Sequence, residues 1–429
     1  MPAVLIIDDE LTLRGLLARI IQLEGYHVFE ATTIKDGLKV LARENIQVVV
    51  SDVKLPDGNG VDLTARIHAE FPGVEIIVIT AFGTIEDGVR AIKNGAFDYL
   101  TKGDHQEKII PLLNKASDKA LLQQKVMSLE SRLQKKFGFE NIIGTSASIR
   151  SCQDLAMKVA ATDTNVLLLG ETGTGKEVFA QAIHYESNRR SKPFVALNCS
   201  AFPKDLLESE LFGHTEGAFT GAMKSKRGLI EEAQDGTLFL DEIGEMPADL
   251  QAKLLRVVET REYYKVGNPK VRHANVRFIT ATNRDLQTDN FRQDLYYRFS
   301  VFTIQLPALR ERREDIQLLA EHFVREMSNK TITTPFLAAL KTHPWKGNIR
   351  ELKNIIERSI ILSDGNELTA DLLPADFNTD ESDSLTLEAI ERQHIRKILK
   401  ATDGNKAQAA KVLGIGLTTL YQKIKDYGF

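Results

Sequence analysis

Two long stretches of the chain alternate short, fully apolar runs with amphipathic, helix-like segments. Through residue 104 the runs are Val4–Ile7, Val48–Val50 and Ile76–Ile79. Runs of strand length that are apolar throughout, separated by helical segments, predict a parallel sheet wrapped by helices. Residues 105–140 are rich in Lys, Gln, Leu and Ala, and Leu122, Val126, Leu129 and Leu133 follow a 4-3-4 spacing that makes one apolar seam on a helix. That segment reads equally as a solvated helical linker or as a short dimerising coiled coil. A second alternation occupies 141–370, with the runs Val166–Leu169, Thr237–Leu240 and Val276–Thr280, and predicts the largest core. Residues 371–384, which include PADFNTDESDS, are acidic and nearly free of apolar side chains, the pattern of a flexible tether. The last segment, 385–429, has helical periodicity and ends in two helices joined by a glycine-containing turn.

Composition adds limits. At 429 residues, 43% hydrophobic and 27% charged, the chain has the make-up of several globular domains. Its two cysteines, Cys152 and Cys199, have no metal-ligand spacing and are too few for a disulfide framework, which fits a reducing cytoplasm. No signal segment and no bilayer-spanning apolar stretch is visible, so no membrane partner is expected. The net charge of −4 hides an asymmetry: residues 384–429 carry eight Lys/Arg against four Asp/Glu, so contact with a polyanion is expected there.

The strand ends carry the chemistry. In an open parallel sheet, ligands gather at the carboxyl ends of the strands. Asp8 and Asp9 end the first run and Asp52 ends the run from Gln47, so three carboxylates converge. Oxygen ligands of this kind suit Mg²⁺, and a carboxylate held against the metal can take a phosphoryl group. Asp52 is the expected nucleophile, with Thr80 and Lys102 at later strand ends placed to reach the phosphoryl oxygens. A single acid after a strand would be an ordinary loop acid or helix cap; five positions in agreement are not. These residues resemble the receiver domains of response regulators. The resemblance implies phosphorylation by a cognate sensor histidine kinase and makes Tyr99 the aromatic that turns inward on activation, although an ordinary half-buried strand tyrosine has the same pattern. Gly103 stands where that family usually has a proline, which implies a less rigidly held Lys102.

In the second stretch, Gly170-Glu171-Thr172-Gly173-Thr174-Gly175-Lys176 follows a strand, so backbone N–H groups face a phosphate and Lys176 reaches the β/γ-phosphates. Glu177 replaces the usual Mg²⁺-binding Ser/Thr. A buried strand ending in Asp241-Glu242 about 65 residues on supplies one acid for Mg²⁺ and one to polarise the attacking water. ATP and Mg²⁺ are therefore the expected cofactors. The segments GETGTGKE, ELFGHTEGAFTGA, GTLFLDEIGE, ATNRDL, FRQDLYYR, LPALRERREDI and PWKGNIRELKN resemble the NtrC-type AAA+ activators. The resemblance implies a P-loop α/β domain with a helical lid and makes Glu177 normal. It assigns Asn198 as the restraint on Glu242, Asn283 and Arg350 as sensors, and Arg292 and Arg298 as fingers reaching the next subunit's nucleotide. A homo-oligomer follows, dimers assembling into a hexameric ring. The loop Gly217-Ala218-Phe219-Thr220-Gly221-Ala222 places an aromatic between glycines, and the resemblance makes it the contact with sigma-54 RNA polymerase; a buried turn packing Phe219 is the alternative.

At the end of the chain, Gly404-Asn405 opens a helix, Gly414-Ile415-Gly416 turns the chain, and Leu417–Lys425 forms a second helix. This is a helix-turn-helix pattern, with Thr418, Thr419, Gln422 and Lys423 as candidates for contacts to upstream enhancer DNA. A plain helical hairpin has the same spacing. The segment resembles a Fis-type domain, but Gly416-Leu417 and Gln422 stand where that family often has Ser-Arg and Arg, which implies modest affinity per protomer. The fold class expected is thus α/β multidomain: a doubly wound receiver, an AAA+ P-loop domain with a lid, and an all-α helix-turn-helix domain. The expected function is a two-component, sigma-54-dependent activator. An AAA+ ATPase remodelling another protein, or a non-catalytic DNA-binding repressor, would share most of these features.

Overall fold

The computed structural model describes residues 2–80, 85–101, 105–219, 222–287, 291–374, 377, 387–402 and 404–427. It divides into two compact units, Met1–Lys135 and Lys136–Phe429.

In the first unit the order is β1 (Ala3–Ile7), α1 (Leu11–Leu23), β2 (His27–Ala31), α2 (Ile34–Arg43), β3 (Val48–Asp52), the short pair β4 (Lys54–Leu55) and β5 (Gly58–Asn59), α3 (Gly60–Glu70), β6 (Glu75–Thr80), α4 (Ile85–Lys93), β7 (Asp98–Thr101) and α5 (His105–Phe137). The five long strands form one parallel sheet ordered β2-β1-β3-β6-β7. The chain winds one way from β1 and the other way from β3, so the switch point lies between them, where β1 hands on to Asp8 and β3 ends in Asp52. Every residue of β1, β3 and β6 is buried, as fully apolar runs require. Polar side chains start the helices: Thr33 caps α2 by accepting from the Asp36 N–H, and Asn59 caps α3 by accepting from that of Val61.

Two boundaries differ from the sequence reading. The stretch read as a linker from 105 is the last helix of this unit, because Ile109, Leu113 and Ala116 of α5 pack into the core on one face of the sheet and Ala120 is fully buried as well. The seam of Leu122, Val126, Leu129 and Leu133 stays exposed. Two residues of helix turn by about 200°, so the seam starts on nearly the opposite face from the stripe ending at Ala120; the pattern marked a second surface and concealed the first. Likewise, the first residues of the stretch read as a tether from 371 are folded. Ala370–Leu372 is a 3₁₀ turn, Leu373 and Phe377 are buried, and Phe377 stacks on His343 with ring centroids 4.1 Å apart. An acidic composition around one phenylalanine hid that anchor. Residues 378–384 lie outside the described residues.

The second unit begins with α6 (Ala147–Ala160), β8 (Val166–Leu169), α7 (Lys176–Tyr185), β9 (Phe194–Asn198), α8 (Lys204–Phe212), α9 (Leu229–Glu232), β10 (Thr237–Asp241), α10 (Ala248–Thr260), β11 (Glu262–Tyr263), β12 (Arg272–His273), β13 (Arg277–Thr282), α11 (Gln293–Phe299) and β14 (Phe302–Gln305). Its parallel sheet is ordered β14-β8-β13-β10-β9, with an apolar core on each face. A lid follows: α12 (Asp315–Met327), β15 (Thr331–Ile332), α13 (Thr334–Thr342), α14 (Asn348–Leu362) and β16 (Glu367–Leu368), packed around the fully buried Trp345. Last come α15 (Leu387–Ala401), α16 (Lys406–Leu413) and α17 (Leu417–Tyr427). Asn405 caps α16 and Gly414 closes it at φ 67°, the left-handed C-cap that glycine accommodates. Leu420 and Ile424 meet Ala409 and Ala410 in a small core. Among the described residues no helix is long and apolar enough to cross a membrane.

Candidate nucleotide and phosphoryl-transfer sites

At the first sheet's switch point, ligand oxygens of Asp8, Asp9 and Asp52 all lie within 4.8 Å of one another. Asp8 and Asp52 are buried and Asp9 is exposed, so the cluster opens to solvent on one side. Asp8 is held from both ends: its carboxylate accepts from the Glu10 N–H at 2.8 Å, and its carbonyl accepts from Arg14 Nη1 at 2.6 Å. Beside Asp52 the chain passes so closely that a Cβ on Gly60 would sit 2.1 Å from the Asp52 carbonyl oxygen, which explains a glycine there. Thr80 ends β6, one residue past Ile79, the register partner of Asp52, and is buried. Tyr99 in β7 is half-buried with its ring against Gly88 of α4. Lys102 lies outside the described residues. Three carboxylates in this arrangement suit a hard, oxygen-bound divalent cation.

In the second sheet, β8 leads into a loop whose Gly170, Gly173 and Gly175 all have positive φ. Gly175 delivers the chain into α7, so the helix N-terminus and its free N–H groups face the loop. Lys176 is buried, and its Nζ donates to the carbonyls of Gly170 at 2.8 Å and Glu171 at 3.2 Å. Burial pushes its pKa down, Glu242 and Asp241 pull it back up, and Arg350 pushes it down again; these four groups share one electrostatic neighbourhood. Asp241 ends β10 in register with Asn198 at the end of β9. Glu242 follows at φ 50° and ψ 47°, a left-handed conformation that costs a non-glycine residue about 1 kcal/mol or more. Asn283, just after β13, donates to Thr172 Oγ1 at 3.1 Å. The Asn198 amide oxygen accepts from the N–H and hydroxyl of Ser200, so it caps the turn after β9. Cys199 is buried beside the acids, and burial with their charges drives its thiol up to about 12; it is no nucleophile.

Arg292 stands at the N-cap of α11 and Arg298 lies in its last turn, both exposed. Arg292 pairs with Asp294 at 2.6 Å and Arg298 with Glu259 at 2.9 Å. Such surface pairs are weak, about 0–1 kcal/mol each, and leave the guanidinium groups available to a stronger anion. The loop carrying Phe219 is closed at its base by Gly217 N–H to the Ala222 carbonyl at 2.9 Å. Ala218 packs on Gly267, and Ala222 is buried. Phe219 is 41% exposed and leans edge-on against His214, which is buried between Ser209 and the Lys224 carbonyl. Thr220 and Gly221 lie outside the described residues.

Family models match along the chain: a response regulator receiver domain over 4–114, a sigma-54 interaction domain over 142–305, an AAA+ ATPase lid domain over 310–389 and a Fis-family bacterial regulatory protein over 386–427. The transcriptional regulatory protein GlrR of Escherichia coli (strain K12) is 40% identical over 438 residues, spanning 99% of this chain and 96% of that protein. The chain belongs to the NtrC-type, sigma-54-dependent response regulators. The regulatory protein AtoC of the same organism is 36% identical over 450 residues, covering 99% of this chain and 97% of its own. The crystal structure of NtrX from Brucella abortus in complex with ADP is similar over 100% of both chains, with 31% identity and a TM-score of 0.64. The expected fold class therefore holds: receiver, AAA+ domain with lid, and helix-turn-helix.

As a family member the chain has a Fis-type reading helix, α17, and the structure redistributes its candidates. Thr418, Thr419 and Gln422 are exposed, as expected. Lys423 is turned back into the domain: its Nζ pairs with Glu391 of α15 at 2.6 Å, and Tyr427 shares that carboxylate at 2.9 Å. Tyr421 and Lys425 are exposed in its place, and Tyr421 carries the Lys406 ammonium over its ring at 5.0 Å. Reading contacts from sequence spacing missed which face the core would claim. It also missed Arg310, Arg312 and Asn348. Arg310 grips the Glu171 carboxylate through both nitrogens, and with Asn348 holds it down to about 2. Arg312, buried, donates to the Thr174 carbonyl at 3.1 Å. The segments LPALRERREDI and PWKGNIRELKN were the only signals for these residues.

Proposed function

We propose that this response regulator is switched by phosphorylation of Asp52 and works as an ATP-driven remodeller of sigma-54 RNA polymerase. Asp8, Asp9 and Asp52 would hold Mg²⁺, and a cognate sensor histidine kinase would supply the phosphoryl group. The Asp52 oxygen attacks phosphorus, the kinase histidine leaves, and Thr80 and Lys102 receive the new oxygens. In the second sheet the loop Gly170–Lys176 and Glu177 cradle ATP, with Asp241 placed to hold its Mg²⁺. Glu242 orients the attacking water, while Asn283 and Arg350 contact the nucleotide and Asn198 restrains Glu242. Arg292 and Arg298 reach the nucleotide of the next protomer, so the working form is a ring, a hexamer built from dimers. The loop Gly217–Ala222 delivers the stroke to sigma-54, and Thr418, Thr419, Tyr421, Gln422 and Lys425 hold the ring on upstream DNA in the cytoplasm.

The observation that carries this reading is Phe219: an aromatic 41% exposed on a two-glycine loop, in a chain whose relatives are sigma-54-dependent regulators. Exposed aromatics on loops of this kind serve partners. The test is open-complex formation by sigma-54 polymerase on a promoter with an upstream site, with and without a phosphodonor. ATP-dependent melting, altered by the phosphodonor, is the expected result; melting without ATP, or none in any state, overturns the reading.

A further inference from the structure

The phosphate loop is held from outside as well as from within. Asn348, the first residue of α14, is fully buried and sits at φ 53°. Its amide oxygen accepts from the Leu309 N–H at 2.7 Å, and its Nδ2 donates to the Thr172 carbonyl at 3.0 Å and to Glu171 Oε2 at 3.1 Å. The next residue continues the attachment, Ile349 N–H bonding to the Gly173 carbonyl at 2.9 Å. The contact is backbone against backbone: a Cβ on Gly173 would lie 2.3 Å from the Gly347 carbonyl oxygen and 3.1 Å from Arg350 Cβ.

A side chain amide suits this place because it offers two donor hydrogens and an acceptor, and asparagine tolerates a left-handed backbone better than most residues. Aspartate would keep the shape but turn a second carboxylate toward Glu171 and a lone pair toward the Thr172 carbonyl. Glycine would keep the backbone and leave the Leu309 N–H buried without its partner. Arg350 lies two residues on, in the same helical turn, so the angle of its approach is set by where α14 is pinned.

We propose that Asn348 is a positioning residue for nucleotide turnover: it straps the lid to the phosphate loop, so that Arg350 meets the nucleotide in one orientation. The inference rests on the ATPase reading above and extends it to a residue outside the nucleotide contacts. Lid and loop then move as one body, and whatever changes the shape of the loop is passed to the lid through this amide.

The test uses the full chain, with ATP Kd at equilibrium, KM and kcat for hydrolysis, and thermal unfolding, in Asn348→Asp, Asn348→Gly, Arg350→Ala and the double variant Asn348→Asp/Arg350→Ala. Both single changes at Asn348 should raise Kd and KM by about tenfold or more, with melting lowered by no more than about ten degrees. The double variant should be no more than about threefold worse than Arg350→Ala alone, because the strap acts through that arginine. Affinity and turnover within about twofold of the parent would overturn the proposal. So would defects that multiply in the double variant, or unfolding of both single variants, which would make the residue merely structural. If the parent binds ATP without splitting it, the ATPase reading fails and Asn348 is judged on Kd alone.

Discussion

The two parallel sheets of this chain both carry acids at the carboxyl ends of their strands, in different surroundings. In the first, the site is made of side chains: Asp8, Asp9 and Asp52 project from strand ends within 4.8 Å of one another, and one of them is suited to keep the phosphoryl group. In the second, the loop after the first strand offers backbone, through three glycines at positive φ and the N-terminus of α7, while Asp241 and Glu242 at the end of β10 lie in the electrostatic neighbourhood of Lys176 and are the residues proposed to hold metal and orient water. A carboxylate nucleophile stores the charge on the protein. A backbone cradle binds it and lets it go. Two five-stranded parallel sheets of different strand order thus offer different chemistry according to whether the loop after the first strand contributes acids or amides.

The comparison can be broken most sharply at the two acids that define it. Asp52→Asn removes the nucleophile, so acid-labile labelling by a small phosphodonor should disappear entirely, while ATP hydrolysis by the second sheet remains; label retained at another residue would break the contrast. Glu242→Ala should lower turnover by about 10²–10⁴-fold and spare ATP binding, as read by phosphate release against nucleotide affinity. Undiminished hydrolysis would remove the water-orienting role.

A third difference lies under the sheets. His184 at the end of α7 is fully buried and hydrogen-bonded to Thr237 at the head of β10, whereas His27 and His68 of the receiver unit are exposed. Burial holds His184 down to about 4 from an ordinary 6.5. Between those values the unfolded chain takes up a proton that the folded chain refuses. Stability is therefore complete above about pH 6.5 and is lost as pH falls toward 4, by up to roughly 3 kcal/mol. His184→Gln should flatten that dependence in denaturant titrations run from pH 7 to 4.5; an unchanged slope would place the titration elsewhere. The smallest effect lies outside both sheets. Lys425→Ala should reduce the salt slope of DNA binding by about 1, and Lys423→Ala by much less, since Lys423 is committed to Glu391.

How much of this was legible in the sequence varies with the kind of signal. Strand-end acids and the glycine loop were readable because their chemistry is local: a run of apolar residues states where a strand ends, and the next residue states what it presents. The face of a helix was readable only as a stripe, never as a partner. The seam Leu122–Leu133 was visible while the buried stripe of Ile109, Leu113 and Ala116, which fixes α5 to the receiver sheet, went unread. The ion pair of Lys423 went unread for the same reason, since nothing local says that Glu391 will claim its ammonium. Asn348 and Phe377 were the hardest, because each acts through residues distant in sequence: Asn348 bonds to Glu171 and Thr172, and Phe377 stacks on His343. Long-range polar bonds and single aromatic anchors leave no period to find.

In the function proposed above, hydrolysis at the strand ends of the second sheet is delivered through the loop carrying Phe219. Its most direct test measures ATP turnover and sigma-54 open-complex formation side by side in Phe219→Ala. Turnover within about threefold of the parent with open complexes abolished is the expected result, and open complexes formed at the parent's rate would contradict that role for the loop.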